Sequence, residues 1–136
     1  MVSMLNLEII TPEKVLVSEE VDMVEAKGSL GEFGVLPGHI QFLTVLEIGE
    51  VRYTKDGKTS YLATSGGFGE VADDKVTFLL DTAEFADDID LERAKIAMEE
   101  AQERLKELEM DTAEYRMYEL ALLRALARLQ VASKKL

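Results

Sequence analysis

The distribution of apolar residues along the chain changes between Asp88 and Ala94. Before this stretch, apolar residues alternate with polar ones or form short runs broken by Gly, Pro and Asp. After it, they recur at every third or fourth position, without Gly or Pro up to Leu136. Alternation is the period of a strand, and three-to-four spacing is the period of a helix. The pattern therefore predicts a β-domain over residues 1–87 and a helical domain over residues 88–136.

The first 87 residues contain eight to ten short segments that we interpret as strands. Leu5–Ile9 alternates between apolar and polar residues and ends before a Thr-Pro pair. The Asp-Gly pair within Lys55–Lys58 predicts a hairpin turn between strands at 51–54 and 59–63. The glycine-rich segment Gly28–Gly38 predicts a loop. Strands of this length and spacing are typical of an antiparallel β-sandwich or barrel.

Two helices are predicted in the second part. Asp90 can cap the first helix, and Asp111, with an acidic residue three positions later, can cap the second. Each helix has one apolar seam, formed by Leu91, Ala94, Met98, Ala101, Leu105 and Leu108 and then by Tyr115, Tyr118, Leu122, Ala125, Leu129 and Ala132. Two seams joined by a short turn predict an antiparallel helical hairpin. Its many alanines bury little apolar area, so we expect a hairpin of moderate stability.

The second helix carries apolar surface beyond its seam. Leu120, Leu123 and Leu126 lie on another side of the predicted helix. These leucines either pack permanently on the β-domain or belong to an arm that moves between a compact and an extended position. The sequence leaves both alternatives open.

Composition and charge narrow the possible functions. The 136 residues carry a net charge of -12, which argues against nucleic acid as a partner because phosphate contacts need a basic surface. Residues 1–88 contain six basic and seventeen acidic side chains, whereas residues 112–136 contain five basic and two acidic ones. A basic terminal helix can bind an acidic partner or fold onto the acidic body. Without a membrane-spanning run or a signal peptide, we expect a cytosolic protein with no membrane insertion.

Few side chains are suited to catalysis. The chain has no cysteine and one histidine, His39, which excludes zinc sites of the usual ligand sets and cysteine-based chemistry. Gly57–Thr59 and Gly66–Gly69 resemble phosphate-binding loops, but both lack the required glycine spacing and neither opens a predicted helix. A lone histidine without a nucleophile indicates a structural or contact role. We therefore expect a non-catalytic protein that requires no metal.

Two apolar residues occupy unexpected positions in the predicted loop. Phe33 and Leu36 lie where polar residues would be expected. They either form an exposed patch for a partner or fold back over the core of the β-domain. The sequence does not distinguish between these alternatives.

Three arginines are predicted to meet at the open end of the hairpin. With a turn near residues 110 and 111, Arg93 falls beside Arg128, and Arg124 lies one helical turn from Arg128. Converging guanidinium groups repel one another unless an anion lies among them. That anion is either the phosphate of a nucleotide or one of the neighbouring carboxylates, Glu84, Asp90 and Glu92.

Three segments of the chain match those of a known family. They are Gly31–His39 (Gly-Glu-Phe-Gly-Val-Leu-Pro-Gly-His), Ser65–Phe68 (Ser-Gly-Gly-Phe) and Ile89–Ala94 (Ile-Asp-Leu-Glu-Arg-Ala). The three segments have the order and spacing found in that family. The sequence resembles the epsilon subunit of bacterial F-type ATP synthases over the whole chain. Gly69 departs from the resemblance, because the family usually has a larger apolar residue there.

The resemblance implies a non-catalytic central-stalk subunit of a proton-translocating ATP synthase, peripheral on the cytoplasmic face of the bacterial inner membrane. The β-domain would bind the gamma subunit and the c-ring, with Glu32, Phe33 and His39 nearest the ring. The extended hairpin would contact the catalytic alpha and beta subunits and block ATP hydrolysis. The folded hairpin would bind ATP, and the residues expected at that site are Glu84, Ile89, Asp90, Arg93, Ala94, Arg124 and Arg128.

A second interpretation needs no nucleotide. The chain would then be a structural interaction module of the rotor, in which an acidic β-domain carries a helical docking hairpin. Neighbouring carboxylates would neutralise the arginines in that case.

Overall fold

The computed structural model describes residues 3–135, which form a β-domain followed by a helical hairpin, as the sequence predicts. The strands are β1 (Leu5–Ile10), β2 (Val15–Val21), β3 (Met23–Gly28), β4 (Gly31–Val35), β5 (Phe42–Leu46), β6 (Gly49–Lys55), β7 (Lys58–Thr64), β8 (Gly67–Ala72), β9 (Lys75–Leu80) and β10 (Ala83–Phe85). A turn of 3₁₀ helix at Ala86–Asp88 leads into helices α1 (Leu91–Glu107) and α2 (Ala113–Ala132).

The ten strands form one continuous sheet that curls around a shared interior into a sandwich-like half-barrel. Its strand order is β10-β7-β6-β3-β5-β8-β9-β1-β2, and β4 pairs with β3. Every second residue of β1 and β9 points into the core, namely Leu5, Leu7 and Ile9 and then Val76, Phe78 and Leu80. The alternation in the sequence is therefore the alternation between the core and the outer face of the sheet.

Two details of the sheet differ from the sequence-based expectation. The sheet is not wholly antiparallel, because β1 and β9 are parallel. These strands are far apart in the chain, so no tight turn forces them to run in opposite directions. The segment Gly31–Val35, expected within a loop, is strand β4. Val35 is fully buried in the core, and its burial outweighs the turn preference of the surrounding glycines.

The two helices begin at capping residues, one predicted correctly and one not. The carboxylate of Asp90 accepts a hydrogen bond from the amide of Arg93 at 3.1 Å, which confirms Asp90 as the cap of α1. Asp111 does not cap α2. The cap is Thr112, whose hydroxyl accepts from the amide of Tyr115 at 3.1 Å. The helix begins one residue later than expected, so the threonine hydroxyl rather than the aspartate reaches the free amide.

The hairpin packs through small side chains and is joined by an ionic contact near its turn. Ala94 and Ala101 of α1 and Ala125 of α2 are buried. Arg104 of α1 contacts Glu114 of α2 at 2.6 Å, and its guanidinium lies 5.3 Å from the centroid of the Tyr118 ring. Interactions with Tyr118 and then Glu114 raise the pKa of Arg104. The contacts that hold the two helices together are therefore modest in area and partly electrostatic.

The surplus leucines of α2 are partly exposed in this arrangement. Leu123 and Leu126 are 46% and 42% exposed. Leu120 is half-buried, and whether the three leucines pack permanently or belong to a movable arm stays a prediction. Their exposure leaves apolar surface on α2 for another contact.

Gly69 is explained by its partner across the sheet. Gly69 of β8 faces Phe78 of β9, whose ring is completely buried. A Cβ atom at position 69 would lie 2.9 Å from the ring of Phe78. The large phenylalanine thus fills the space that a side chain at position 69 would take.

Replacement of the two capping candidates should distinguish them. We expect Thr112→Ala to lower the free energy of unfolding of the hairpin by about 1 kcal/mol, because one amide of the first turn loses its partner. Asp111→Ala should change it by less than about 0.5 kcal/mol. Thermal unfolding followed by circular dichroism measures both variants, and equal losses would contradict the assignment of the cap.

Removal of the hairpin should leave the β-domain folded. Every residue of the largest buried cluster lies between Leu5 and Leu80, so deletion of residues 89–136 removes none of it. We propose that residues 1–87 are a separate domain, and we expect the shortened chain to unfold cooperatively. A shortened chain without a cooperative thermal transition would show that the hairpin belongs to the core.

Candidate functional site

A cleft of about 560 Å³ separates the hairpin from the edge of the β-domain. Its helical wall is formed by Arg93, Ala97, Ala121, Arg124, Ala125 and Arg128. Its strand wall is formed by Thr11, Glu13, Lys14, Leu16, Asp81, Thr82, Ala83 and Glu84. The volume lies within the range of sites that bind small molecules. The cleft contains all three arginines that the sequence predicts to cluster.

The structure brings the three predicted arginines together on the helical wall. Arg93 comes from the first turn of α1, and Arg124 and Arg128 come from successive turns of α2. Antiparallel packing of the helices causes this convergence, since the start of α1 lies beside the end of α2. Within residues 3–135, the guanidinium groups of Arg93 and Arg124 form no ion pair. The helical wall therefore presents uncompensated positive charge to the cleft.

Glu84 supplies a carboxylate to this cluster from the opposite wall. Its Oε1 atom lies 2.7 Å from Nε of Arg128, and its Oε2 atom accepts a longer hydrogen bond from Nη2 at 3.4 Å. The Nε–H group of Arg128 is buried and is not directed at an acceptor, so the shorter contact is an ion pair rather than an aligned hydrogen bond. Glu84 thus offsets one of the three positive charges.

The other three residues expected at the site do not line the cleft. Ile89 and Ala94 are buried, with 2% and 0% of their surfaces exposed, and Asp90 caps α1. Their packing and capping fix the first turn of α1, from which Arg93 extends into the cleft. They support the position of Arg93, and direct contact with a ligand remains a prediction for them.

The end of α2 is attached to the β-domain by a second, smaller apolar cluster. It consists of Ala63, Ala86, Ile89, Val131 and Ala132, with Tyr61 packed against it. The ammonium group of Lys135 donates to the carbonyl of Ile89 at 2.7 Å, and that of Lys134 lies 5.4 Å from the centroid of the Tyr61 ring. We call these residues the docking cluster. They hold the end of α2 against β7, which pairs with β10, the strand that carries Ala83 and Glu84 of the other wall.

The strand wall of the cleft was not predicted from the sequence. Because β1 and β9 are parallel neighbours, the residues that follow them, Thr11–Lys14 and Asp81–Thr82, come to the same edge of the sheet. This pairing joins distant parts of the chain, and no local sequence pattern predicts it. A prediction of this wall would have required the register of the β1–β9 pair, in which Ile10 faces Leu79.

Two of the three residues predicted to contact a partner, Phe33 and His39, lie against one aromatic ring. The ring of Phe33 lies 5.3 Å from that of Phe42, and the ring of His39 lies 5.8 Å from the same Phe42. Phe33 is half-buried against the core, so the fold-back alternative is correct for it, whereas Leu36 is exposed. Glu32 is exposed and lies 3.4 Å from Arg52. The structure thus brings Phe33 and His39 together around Phe42, whereas Glu32 belongs to the group of acids around Arg52.

Arg52 holds several carboxylates in this region. It contacts Glu25 at 2.8 Å and Glu50 at 2.9 Å. The hydrogen bond that Arg52 donates to Glu25 is the main reason that the pKa of Arg52 lies above its ordinary value, although burial opposes the rise. Glu32 is the most exposed of the three acids around this guanidinium.

A row of exposed apolar side chains crosses the outer face of the sheet. Val45 of β5 faces Phe68 of β8, which in turn faces Leu79 of β9. These residues and the nearby Leu43 are 47% to 71% exposed. We call these four residues the outer apolar row. Their contiguity on three neighbouring strands is a feature of binding surfaces.

Between residues 3 and 135, no group of three or more His, Asp or Glu side chains is arranged to hold a metal ion. Neither α1 nor α2 has the length and apolar content that crossing a membrane requires.

Comparison with known proteins links both parts of the chain to one family. Residues 4–86 match the model of the ATP synthase Delta/Epsilon chain beta-sandwich domain. Residues 87–133 match that of the ATP synthase Delta/Epsilon chain long alpha-helix domain. The ATP synthase epsilon chain of Geotalea daltonii is 56% identical over 134 residues, which cover 98% of this chain and 97% of the relative. The epsilon chain of Geobacter sulfurreducens is 54% identical with the same coverage.

Solved structures show the same relationship. A chain of the Euglena gracilis mitochondrial ATP synthase, in an assembly of OSCP, F1 and c-ring, superposes with a TM-score of 0.83 at 27% identity. The match covers 96% of this chain and 81% of that chain. A chain of the Tetrahymena thermophila enzyme shares the fold, with a TM-score of 0.56 at 14% identity. The protein therefore belongs to the epsilon subunits of F-type ATP synthases, which are non-catalytic subunits of the central stalk.

Proposed function

We propose that this subunit regulates ATP hydrolysis through its hairpin, which binds ATP in the cleft when it is folded onto the β-domain. The observation that carries the proposal is the convergence of Arg93, Arg124 and Arg128 in a cleft of about 560 Å³. The extended hairpin would instead reach the catalytic alpha and beta subunits and block hydrolysis. ATP would thus act as a regulatory ligand and not as a substrate of this chain.

Electrostatics supports a polyphosphate as the ligand. Three guanidinium groups face one carboxylate, Glu84, that is close enough to form an ion pair. Guanidinium groups bind phosphate through paired charge-assisted hydrogen bonds, which are about twice as strong as neutral ones. The small side chains Ala97, Ala121 and Ala125 between the arginines let a ligand approach the helices closely. A triphosphate would compensate the positive charge of the arginines that Glu84 does not offset.

The docking cluster supports a movable hairpin. Three of its five buried residues are alanines, which bury little apolar area and therefore hold α2 weakly. The exposed Leu123 and Leu126 supply apolar surface that a partner could cover after release. Weak docking and unused apolar surface are the properties that an element with two packing positions needs.

Thermodynamic linkage predicts how the ATP concentration would affect ATP hydrolysis by the enzyme. A ligand that binds only the folded hairpin stabilises it by RT ln(1 + [L]/Kd), about 2.7 kcal/mol at a concentration one hundred times Kd. Abundant ATP would then keep the hairpin folded and permit turnover. Scarce ATP would release the hairpin and favour inhibition of hydrolysis.

The β-domain would attach the subunit to the rotor. We assign the outer apolar row to the gamma subunit, because contiguous exposed apolar patches mark sites of protein interaction. We assign the surface around Glu32, Phe33 and His39 to the c-ring. These contacts would hold the subunit on the cytoplasmic face of the bacterial inner membrane as a peripheral part of the proton-translocating enzyme.

One observation favours the alternative of a structural rotor module without nucleotide binding. The ion pair between Glu84 and Arg128 already provides an anion within the cluster. If internal carboxylates were sufficient, the cleft would remain empty at cellular ATP concentrations, and the subunit would only link rotor components.

Calorimetric titration of the isolated chain with ATP tests the nucleotide site. We expect Arg93→Ala and Arg128→Ala each to weaken ATP binding more than about tenfold, on the order of 1.4 kcal/mol, because each removes a phosphate contact. Arg116→Ala is the matched control, since Arg116 pairs with Glu119 and does not line the cleft. Equal affinity in all variants, or no ATP binding by the unaltered chain, would leave only the structural role.

Replacement of exposed residues on the sheet tests the rotor contact. We expect the double variant Val45→Ser and Phe68→Ser to bind the gamma subunit more than about tenfold more weakly, because it removes an apolar anchor. Its thermal stability should change little, since Phe68 is 57% exposed. Met110→Ser, at the 80% exposed turn of the hairpin, serves as the control. Unchanged gamma binding by the double variant would exclude the outer apolar row from the interface.

A further inference from the structure

The three arginines alone do not explain why a nucleotide would keep the hairpin docked. Arg93, Arg124 and Arg128 all belong to the hairpin. A ligand held only by these residues would stabilise the pairing of α1 with α2, whether or not the pair contacts the β-domain. A ligand shifts an equilibrium only through a difference in affinity between its two states. Docking can be coupled to ATP only through a contact that the β-domain supplies.

Resting on the function proposed above, we propose that Lys14, in the turn between β1 and β2, supplies this contact by donating to the polyphosphate from the strand wall. Lys14 lines the same cleft as the arginines and is the one cation among the residues that form the strand wall. Its side chain forms no ion pair within the described residues. Its ammonium group is therefore available to a phosphate.

The backbone of the turn holds Lys14 in place. The amide of Thr11 donates to the carbonyl of Lys14 at 2.9 Å, and the amide of Lys14 donates to the carbonyl of Thr11 at 3.3 Å. The hydroxyl of Thr11 donates to the same Lys14 carbonyl at 3.3 Å. Leu16, two residues later, packs against the core and also lines the cleft. The lysine is thus presented from a fixed position, and only its side chain must be ordered by the ligand.

The charges of the two walls orient the ligand. The helical wall carries three arginines and no acid, whereas the strand wall carries Glu13, Asp81 and Glu84 beside Lys14. Phosphates would lie against the helical wall, and Lys14 would reach them across the cleft. Glu13, on the same turn, would repel the phosphates. Lys14 and Glu13 should therefore affect ATP affinity in opposite directions, which a general loosening of the turn would not produce.

Titration with ATP tests the contact itself. We expect Lys14→Gln to weaken ATP binding about fivefold, because an exposed charge-assisted contact is lost. Glu13→Gln should strengthen binding, because a charge that repels the phosphates is lost. Lys58→Gln, which removes the same charge from the β6–β7 hairpin away from the cleft, should leave it unchanged. Equal affinity of the Lys14→Gln and Lys58→Gln variants would overturn the proposal.

Thiol labelling tests the coupling to docking, because the chain has no cysteine of its own. Ala132 is buried in the docking cluster, so the rate at which a maleimide labels an Ala132→Cys variant reports release of α2. Ser133→Cys, next to it and exposed, is the control. We expect saturating ATP to slow labelling at position 132 only, and Lys14→Gln to reduce this slowing by the same factor as it reduces affinity.

The outcomes separate this inference from the function on which it rests. Suppose that the unaltered chain binds ATP and that Arg128→Ala abolishes this binding, while Lys14→Gln changes neither the ATP affinity nor the effect of ATP on the labelling rate at position 132. In that case the nucleotide site is supported and the proposed role of Lys14 is wrong. If Ala132→Cys itself prevents docking, the cysteine is labelled fast without ATP. The calorimetric comparison of Lys14→Gln with Lys58→Gln then decides whether Lys14 contacts the nucleotide. Absence of ATP binding in the unaltered chain would remove both proposals.

Discussion

Convergence of Arg93, Arg124 and Arg128 on one wall of the cleft is the constraint on which this account depends. Packing of α1 against α2 forces three guanidinium groups to one end of the hairpin, and Glu84 offsets only one of them. An arrangement with unbalanced charge is stable alone only if the surrounding packing outweighs the repulsion. Here the packing consists largely of alanines in the helical seam and the docking cluster. Because all three arginines belong to the hairpin, an anion in the cleft favours the docked state only if the β-domain also contacts it, as proposed for Lys14.

Much of this architecture follows from the sequence because it depends on local periodicity. The change from alternating to three-to-four spacing predicts the β-domain and the hairpin, and the family comparison supports both. Convergence of the arginines was predictable for the same reason, since a turn at a known position fixes which residues of two antiparallel helices are neighbours. The cap of α2 was displaced by one residue, because Asp111 and Thr112 are both good caps and only the helix start selects between them.

The features that sequence reasoning missed depend on contacts between distant segments. Strand β4 forms because Val35 reaches the core, although glycines favour a loop there. The parallel pairing of β1 with β9 brings Lys14 to the cleft, and no local pattern predicts that register. Gly69 is compatible with the fold because Phe78 occupies the space of its missing side chain. Each case is a tertiary contact that outweighs or completes a local preference.

The most direct measurement follows the distance between the hairpin turn and the β-domain in the isolated chain. Spin labels on Met110→Cys and Lys58→Cys, in a chain that has no other cysteine, report the two positions of the hairpin. The account predicts a mixture of distances without nucleotide and a shift towards the docked distance as ATP is added, with no shift after Arg93→Ala and Arg128→Ala. An unchanged distance distribution at saturating ATP in the unaltered chain would contradict it.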